Sequence, residues 1–247
     1  MYIKLREYLY DSAWARFLTN GVTLMNLSCG ILSFYFALHG AWEHAVLAVI
    51  IASVLDNIDG RLARSLGAGT GFGKDLDSLA DVISFGCVPA FLLYEWSLRH
   101  APHAFIGVAA LFYVICAALR LARFNQGGSK NSSHLYFSGL SSPGATGFCI
   151  FPMILVFYSD GVSYVSPWVC ALVLTVSGIL MLARFPSFSL KNLRPLVGRS
   201  VYVLAVALLL AWMNFWLFML MVIGLYALSI PVSMICVAWS RPKGESS

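Results

Sequence analysis

Five of the eleven acidic residues in this 247-residue chain, Asp56, Asp59, Asp75, Asp77 and Asp81, fall within 26 consecutive positions, interleaved with apolar side chains. An aspartate costs about 2.5–3.5 kcal/mol at a bilayer centre and less near the surface, so an apolar chain gathers carboxylates only where something offsets their charge. Asp56 and Asp59 are three apart and Asp77 and Asp81 four apart, so each pair shares one face of a helix. Residues 65–73 join the two pairs and carry four glycines, Gly67, Gly69, Gly71 and Gly73, which permit a tight return and close approach of backbone to a ligand. Antiparallel neighbours would then aim four carboxylates at one another across a narrow gap. Hard oxygen ligands in that number suit Mg²⁺ or Mn²⁺, ions that bridge phosphate oxygens as well as protein carboxylates. Two such ions stabilise the attacking and leaving oxygens of a displacement at phosphorus, and a neighbouring carboxylate can accept the proton.

Other motifs fail on the same stretch. A phosphate-binding P-loop wants glycine where Ala68 stands and Ser or Thr where Asp75 stands. A dinucleotide fingerprint built on Gly67 and Gly69 would need glycine at Phe72 and a preceding strand. An EF-hand needs alternating oxygen ligands, whereas Asp56 and Asp59 are spaced by three inside an apolar helix.

The elements that must hold these carboxylates are membrane helices. Of all residues 60% are hydrophobic and 11% charged, too few charges for a water-soluble domain of this size. The apolar runs are long enough to cross a hydrocarbon core about 30 Å thick at 1.5 Å rise per residue. They predict an all-α integral membrane protein of eight spans near 18–38, 44–66, 77–98, 103–124, 142–159, 164–184, 198–213 and 216–239. With Met1 in the cytoplasm, fifteen of the sixteen Lys and Arg residues fall inside and only Arg99 outside, as the positive-inside rule requires. Both termini, and the aspartates, are then cytoplasmic. The formal charge of +5 describes that one face, which attracts anionic lipid and phosphate-bearing substrates; nucleic acid is not implied. Residues 1–17 mix apolar and charged side chains as an interfacial amphipathic helix does. The six cysteines form no C-x-x-C pair and read as buried structural thiols, and His39, His44, His100 and His103 as polar caps on the opposite side.

The run Asp56-x2-Asp59-Gly60-x2-Ala63-Arg64-x8-Gly73-x3-Asp77-x3-Asp81 resembles the signature of the CDP-alcohol phosphatidyltransferases, with every specified position present. The resemblance implies that Asp56, Asp59 and Asp77 ligate the metal ions that neutralise the donor's pyrophosphate, two ions of Mg²⁺ or Mn²⁺ being expected. Asp81 would complete the site and act as general base on the incoming hydroxyl. Gly60 and Ala63 would leave room for cytidine, Arg64 would contact phosphate or brace the site, and Gly73, Asn20 and Thr23 would line the CDP-lipid side. The family usually forms homodimers, here expected in a bacterial cytoplasmic membrane.

The acceptor is indicated by flanking segments. Residues 73–86 with Pro89-Ala90, residues 119–125, 137–143 and 184–191 are similar to the membrane-bound phosphatidylserine synthases within that family. The resemblance thus spreads over a catalytic core at 18–195 and leaves 196–247, two spans and a short tail, unaccounted for. Two positions depart from the family pattern: Thr19 and Ser141 stand where proline is expected. A serine acceptor needs a cation for its carboxylate, and Arg120 and Arg123 with Asn125 offer a grip at the end of the fourth span, Arg120 one turn deeper; Ser142 is a further candidate. The expected reaction passes the phosphatidyl group of CDP-diacylglycerol to serine. Inositol phosphate, glycerol 3-phosphate and choline are the competing acceptors. A divalent-cation transporter is the rival from another class, although it would place ionisable groups near mid-bilayer in several spans.

Overall fold

In a computed structural model the described residues are 13–66, 71–98, 104–125, 136–138, 140–159, 165–183, 186–188 and 214–240. They form eight α-helices: α1 (Ala13–Leu38), α2 (Trp42–Leu66), α3 (Gly71–Asp81), α4 (Val88–Leu98), α5 (Ala104–Asn125), α6 (Ser142–Tyr158), α7 (Pro167–Leu182) and α8 (Phe215–Ser240). A π-helical turn, Val82–Cys87, joins α3 to α4 without a break. Among the described residues, the departure from an all-helical chain is a short antiparallel ribbon of β1 (Tyr136–Ser138) and β2 (Pro186–Phe188), with Phe137 opposite Ser187.

Three of these helices are long and apolar enough to cross a membrane: Trp14–Leu38, the continuous Gly71–Ser97, and Phe105–Asn125. Ser142–Tyr158, Pro167–Leu182 and Phe215–Ser229 are shorter apolar helices. Helix α2 has 25 residues but spends its last turns on Asp56, Asp59, Arg61 and Arg64. The span expected at 198–213 lies outside the described residues, as do residues 1–12. Residues 13–17, expected to end an interfacial helix, instead begin α1, and the third span starts at Gly71 rather than at 77. The glycines at 71 and 73 therefore lie in the first turn of a helix.

Large apolar side chains point both ways. Val46, Val49, Leu92, Leu93, Tyr113, Met153, Leu174 and Met181 are buried in one shared core, whereas Leu24, Ile31, Ile51, Leu111, Ile115, Leu172 and Ile179 are exposed on the outer faces. A surface of that kind is stable against lipid, not water. Helix α1 packs on both α2 and α3, α5 packs on α7, and α6 packs on α7 and α8. The α1–α2 corner turns through Gly40, whose φ of 74° is left-handed, a conformation that glycine adopts without a Cβ penalty. There Ser33 Oγ donates to Ala45 O at 2.8 Å.

Proline and serine start the later helices. Ser141, in extended conformation, caps α6 by accepting from Gly144 N at 3.2 Å, with Pro143 in the first turn where its missing N–H costs nothing. Ser166 and Pro167 open α7 in the same order. Five of the six cysteines, Cys29, Cys87, Cys116, Cys149 and Cys170, are free, the last three of them buried. His39 and His44 lie against Tyr35 and Phe36 at the α1–α2 corner, away from the aspartates.

Candidate active site

One end of the bundle collects the polar groups. Carboxylate oxygens of Asp56 and Asp59 from the end of α2 and of Asp77 from α3 all lie within 4.8 Å of one another. Asp59 is buried, and Asp56 and Asp77 are half-buried. Helix α1 packs on both α2 and α3 and so sets the gap across which the carboxylates meet. Two carboxylates no more than 4.8 Å apart repel by at least about 3.5 kcal/mol at an effective dielectric of about 20. Three of them are stable together only with positive charge or protons between them.

Asp81 joins this cluster from the last residue of α3. Its carboxyl group is within hydrogen-bonding reach of Asp56 and lies close to Asp59 and Asp77. One buried oxygen each of Asp77 and Asp81 (Oδ1 in both) has no hydrogen-bond partner among the described residues. Buried, partnerless carboxylate oxygens at such a gap are the unsatisfied state that a hard cation satisfies. The donor set, all oxygen and fourfold negative if ionised, therefore fits Mg²⁺ or Mn²⁺ and does not resemble a Zn²⁺ site of Cys and His.

Two devices fix the carboxylates. Thr23 Oγ1, one turn after the buried Thr19, donates to Asp59 Oδ2 at 3.1 Å, and shares its proton with Thr19 O at 3.2 Å. The π turn begins directly after Asp81, with Val88 N–H donating to Ile83 O five residues back. One extra residue in a turn rotates α3 by roughly 100° relative to α4. Asp77 and Asp81 thereby face the gap while Phe85, Leu92 and Leu93 face the core. Pro89 has no N–H to offer the Phe85 carbonyl four residues back, which instead accepts from Tyr113 Oη at 3.0 Å and Thr146 Oγ1 at 3.3 Å. Ser84 sits against α1, its Oγ 2.6 Å from where a Cβ on Gly30 would be, so glycine is needed at 30.

The expected acceptor residues divide. Arg120 is half-buried; its Nη1 donates to Ser142 Oγ, its Nε has no partner among the described residues, and the charges of Asp81 and Asp56 reach it. Arg123 is exposed and donates from Nη1 to Leu182 O at 3.1 Å, closing the end of α7. Asn125 Nδ2 donates to Ser78 Oγ at 2.7 Å and ties α5 to α3. Gly60 and Ala63 lie half-buried beside Asp56 and Asp59 on α2, and Gly73 lies half-buried one turn before Asp77. Asn20 is half-buried one turn before Thr23. The Arg64 side chain lies outside the described residues.

Sequence reasoning did not single out Asn26, Tyr113, Thr146 or Tyr226. Asn26 is fully buried one turn beyond Thr23, with both amide atoms lacking partners among the described residues. Its spacing from Thr19 and Thr23, a polar stripe on an apolar helix, was the available signal. Tyr113 and Thr146 answer the Phe85 carbonyl, for which Pro89 four residues on, lacking an N–H, was the available signal.

Comparison with known proteins gives a family and several relatives. The family model described as CDP-alcohol phosphatidyltransferase matches residues 16–182, more than half of the chain. A Mycobacterium leprae protein named CDP-diacylglycerol–serine O-phosphatidyltransferase is 33% identical over 173 residues, which is 68% of this chain and 57% of that protein. A Bacillus subtilis protein of the same name is 37% identical over 151 residues, 58% of this chain and 82% of the relative. An archaetidylserine synthase of Methanothermobacter thermautotrophicus is 40% identical over 126 residues, 49% and 51% of the two chains. The matches thus span little more than half of the mycobacterial and archaeal relatives. The four signature aspartates all lie inside the matched region and converge at one end of the bundle, and the chain belongs to the CDP-alcohol phosphatidyltransferase family.

Proposed function

We propose that this chain transfers the phosphatidyl group of CDP-diacylglycerol to the hydroxyl of L-serine, giving phosphatidylserine and CMP. The observation that carries the reading is the convergence of the Asp56, Asp59 and Asp77 carboxylates within 4.8 Å, with Asp81 and Arg120 beside them. The names of the relatives support serine as acceptor. Asp56, Asp59 and Asp77, with Asp81, would hold two ions of Mg²⁺ or Mn²⁺, which would supply the positive charge that a pyrophosphate and a departing CMP require.

The protein's own groups do the rest. Thr23 fixes the Asp59 carboxylate. Gly60 and Ala63, without large side chains, leave space beside the metal ligands for the cytidine, and Gly73, Arg64 and Asn20 complete the CDP-lipid side. Arg120 takes the serine carboxylate, with Ser142 steadying the guanidinium; Asn125 and Arg123 close the rim by joining α5 to α3 and α7. The serine hydroxyl oxygen forms a bond to the phosphatidyl phosphorus, the bond from that phosphorus to the CMP oxygen breaks, and Asp81 accepts the hydroxyl proton. Eight spans with both termini in the cytoplasm, in a bacterial cytoplasmic membrane, put this end of the bundle where serine and CMP are soluble; the positive-inside distribution supports this. A homodimer is in keeping with the family resemblance.

The test is CMP release by purified protein with CDP-diacylglycerol and Mg²⁺ or Mn²⁺, offering serine, inositol phosphate, glycerol 3-phosphate and choline separately. Release with serine alone is expected. Release only with another alcohol would overturn the acceptor and keep the aspartate chemistry, and no metal-dependent release with any would return the carboxylates to cation transport.

A further inference from the structure

We infer that Tyr226 of α8, outside the residues matched by the family model, is a positioning residue for the alcohol acceptor: it locks the first turn of α6 so that Ser142 meets Arg120. The inference deepens the proposed function and rests on the placing of Arg120 in the acceptor pocket.

The contacts form one chain. Tyr226 Oη lies 3.1 Å from Ser141 Oγ, which also accepts from Gly144 N at 3.2 Å as the cap of α6. The next residue, Ser142, is buried and receives the Arg120 guanidinium. The Tyr226 ring lies against the α6 backbone: a Cβ at Gly144 would stand 2.5 Å from a ring carbon and 2.6 Å from the hydroxyl, so only glycine admits it. One turn further, Phe148 meets the same ring at 6.1 Å between centroids.

Ser141 and Tyr226 together have two hydroxyl protons; one is shared between them, and Gly144 N–H occupies a lone pair of Ser141. The cap is thus held from two directions, by its own helix and by α8. Helix α8 packs on α6 and on the β2 strand, whereas the aspartates come from α2 and α3. Loss of the clamp therefore reaches the acceptor and spares the donor. The final helix, which carries no signature residue, acquires a role in substrate selection.

The experiment compares wild type with Tyr226→Phe in the metal-supplemented CMP-release assay, varying acceptor and CDP-diacylglycerol independently. The acceptor is whichever alcohol wild type uses, so a wrong serine assignment appears in wild type and leaves this comparison intact. The acceptor KM is expected to rise about three- to tenfold, the loss of one neutral hydrogen bond. KM for CDP-diacylglycerol and kcat at saturating acceptor stay as in wild type. Ser141→Ala should raise acceptor KM as well, and adding Tyr226→Phe to it should change nothing further. Unchanged acceptor KM, a parallel shift in both KM values, a fall in kcat alone, or additive effects would each overturn the inference. If Tyr226→Phe does not accumulate folded, Ser141→Ala, which leaves the packing of α8 in place, decides by the same KM split.

Discussion

Replacing Thr23 by valine removes one hydroxyl and almost no volume from the most enclosed part of the site. Thr23 is 3% exposed and Asp59 4%, so water does not substitute for the lost donor to Asp59 Oδ2. A hydrogen bond to a charged group is worth about 1.5–3 kcal/mol, roughly 10- to 150-fold. One feature of the structure lowers that figure: the single hydroxyl proton is shared with Thr19 O at 3.2 Å. Groups that support metal ligands typically contribute 10- to 100-fold; the low end, about tenfold, is the expectation here. The assay is CMP release against Mn²⁺ concentration at saturating substrates, where Thr23→Val should raise the half-activating concentration about tenfold. Thr23→Ser, which restores the hydroxyl, should stay near wild type. An unchanged metal requirement in Thr23→Val, or an equal shift in Thr23→Ser, would refute the assignment of Asp59 as a ligand held by Thr23.

Asp81→Asn keeps an oxygen in the site and removes the proton acceptor; turnover should fall by at least about 100-fold while equilibrium binding of CDP-diacylglycerol with metal persists, and equal loss of binding would make Asp81 chiefly a ligand. Arg120→Ala should raise KM for serine by more than about tenfold with little change for CDP-diacylglycerol, because a charge-assisted pair is lost; an unchanged serine dependence would remove it from the pocket. Tyr113→Phe takes one of two donors from the Phe85 carbonyl and should cost about 1 kcal/mol of stability, seen as a lower thermal midpoint in detergent with the metal requirement intact. A changed metal requirement without that loss would show the π turn to respond differently.

The membrane class, the aspartate hairpin and most helix positions were legible because each rests on a strong local signal: long apolar runs, basic residues at one set of span ends, and carboxylates with helical spacing. Boundaries moved where that signal was weakest. Residues 13–17 continue α1 because their mixed pattern meets α1 without a breaker, and Gly71 and Gly73 lie in the first turn of α3, which packs on α1. The β1–β2 ribbon was not foreseen; three-residue strands are too short for alternation to show. The convergence of Asp56, Asp59 and Asp77 was legible from charge in an apolar chain. Asn26, Thr146 and Tyr226 were not, since one polar group in a span is compatible with many environments and only tertiary contacts distinguish them. Arg123 and Asn125 show the converse: both were chosen for their type, and the structure gives each a partner in a neighbouring helix.

The most direct test of phosphatidyl transfer at the carboxylate cluster traces labelled serine into lipid. Purified protein with CDP-diacylglycerol and labelled serine is assayed with Mn²⁺, with EDTA, and as Asp59→Asn with Mn²⁺. The expected result is labelled phosphatidylserine formed one-for-one with CMP in the first arm and lost in the other two. Label entering lipid equally with EDTA, or at the wild-type rate in Asp59→Asn, would contradict the role given to these four aspartates.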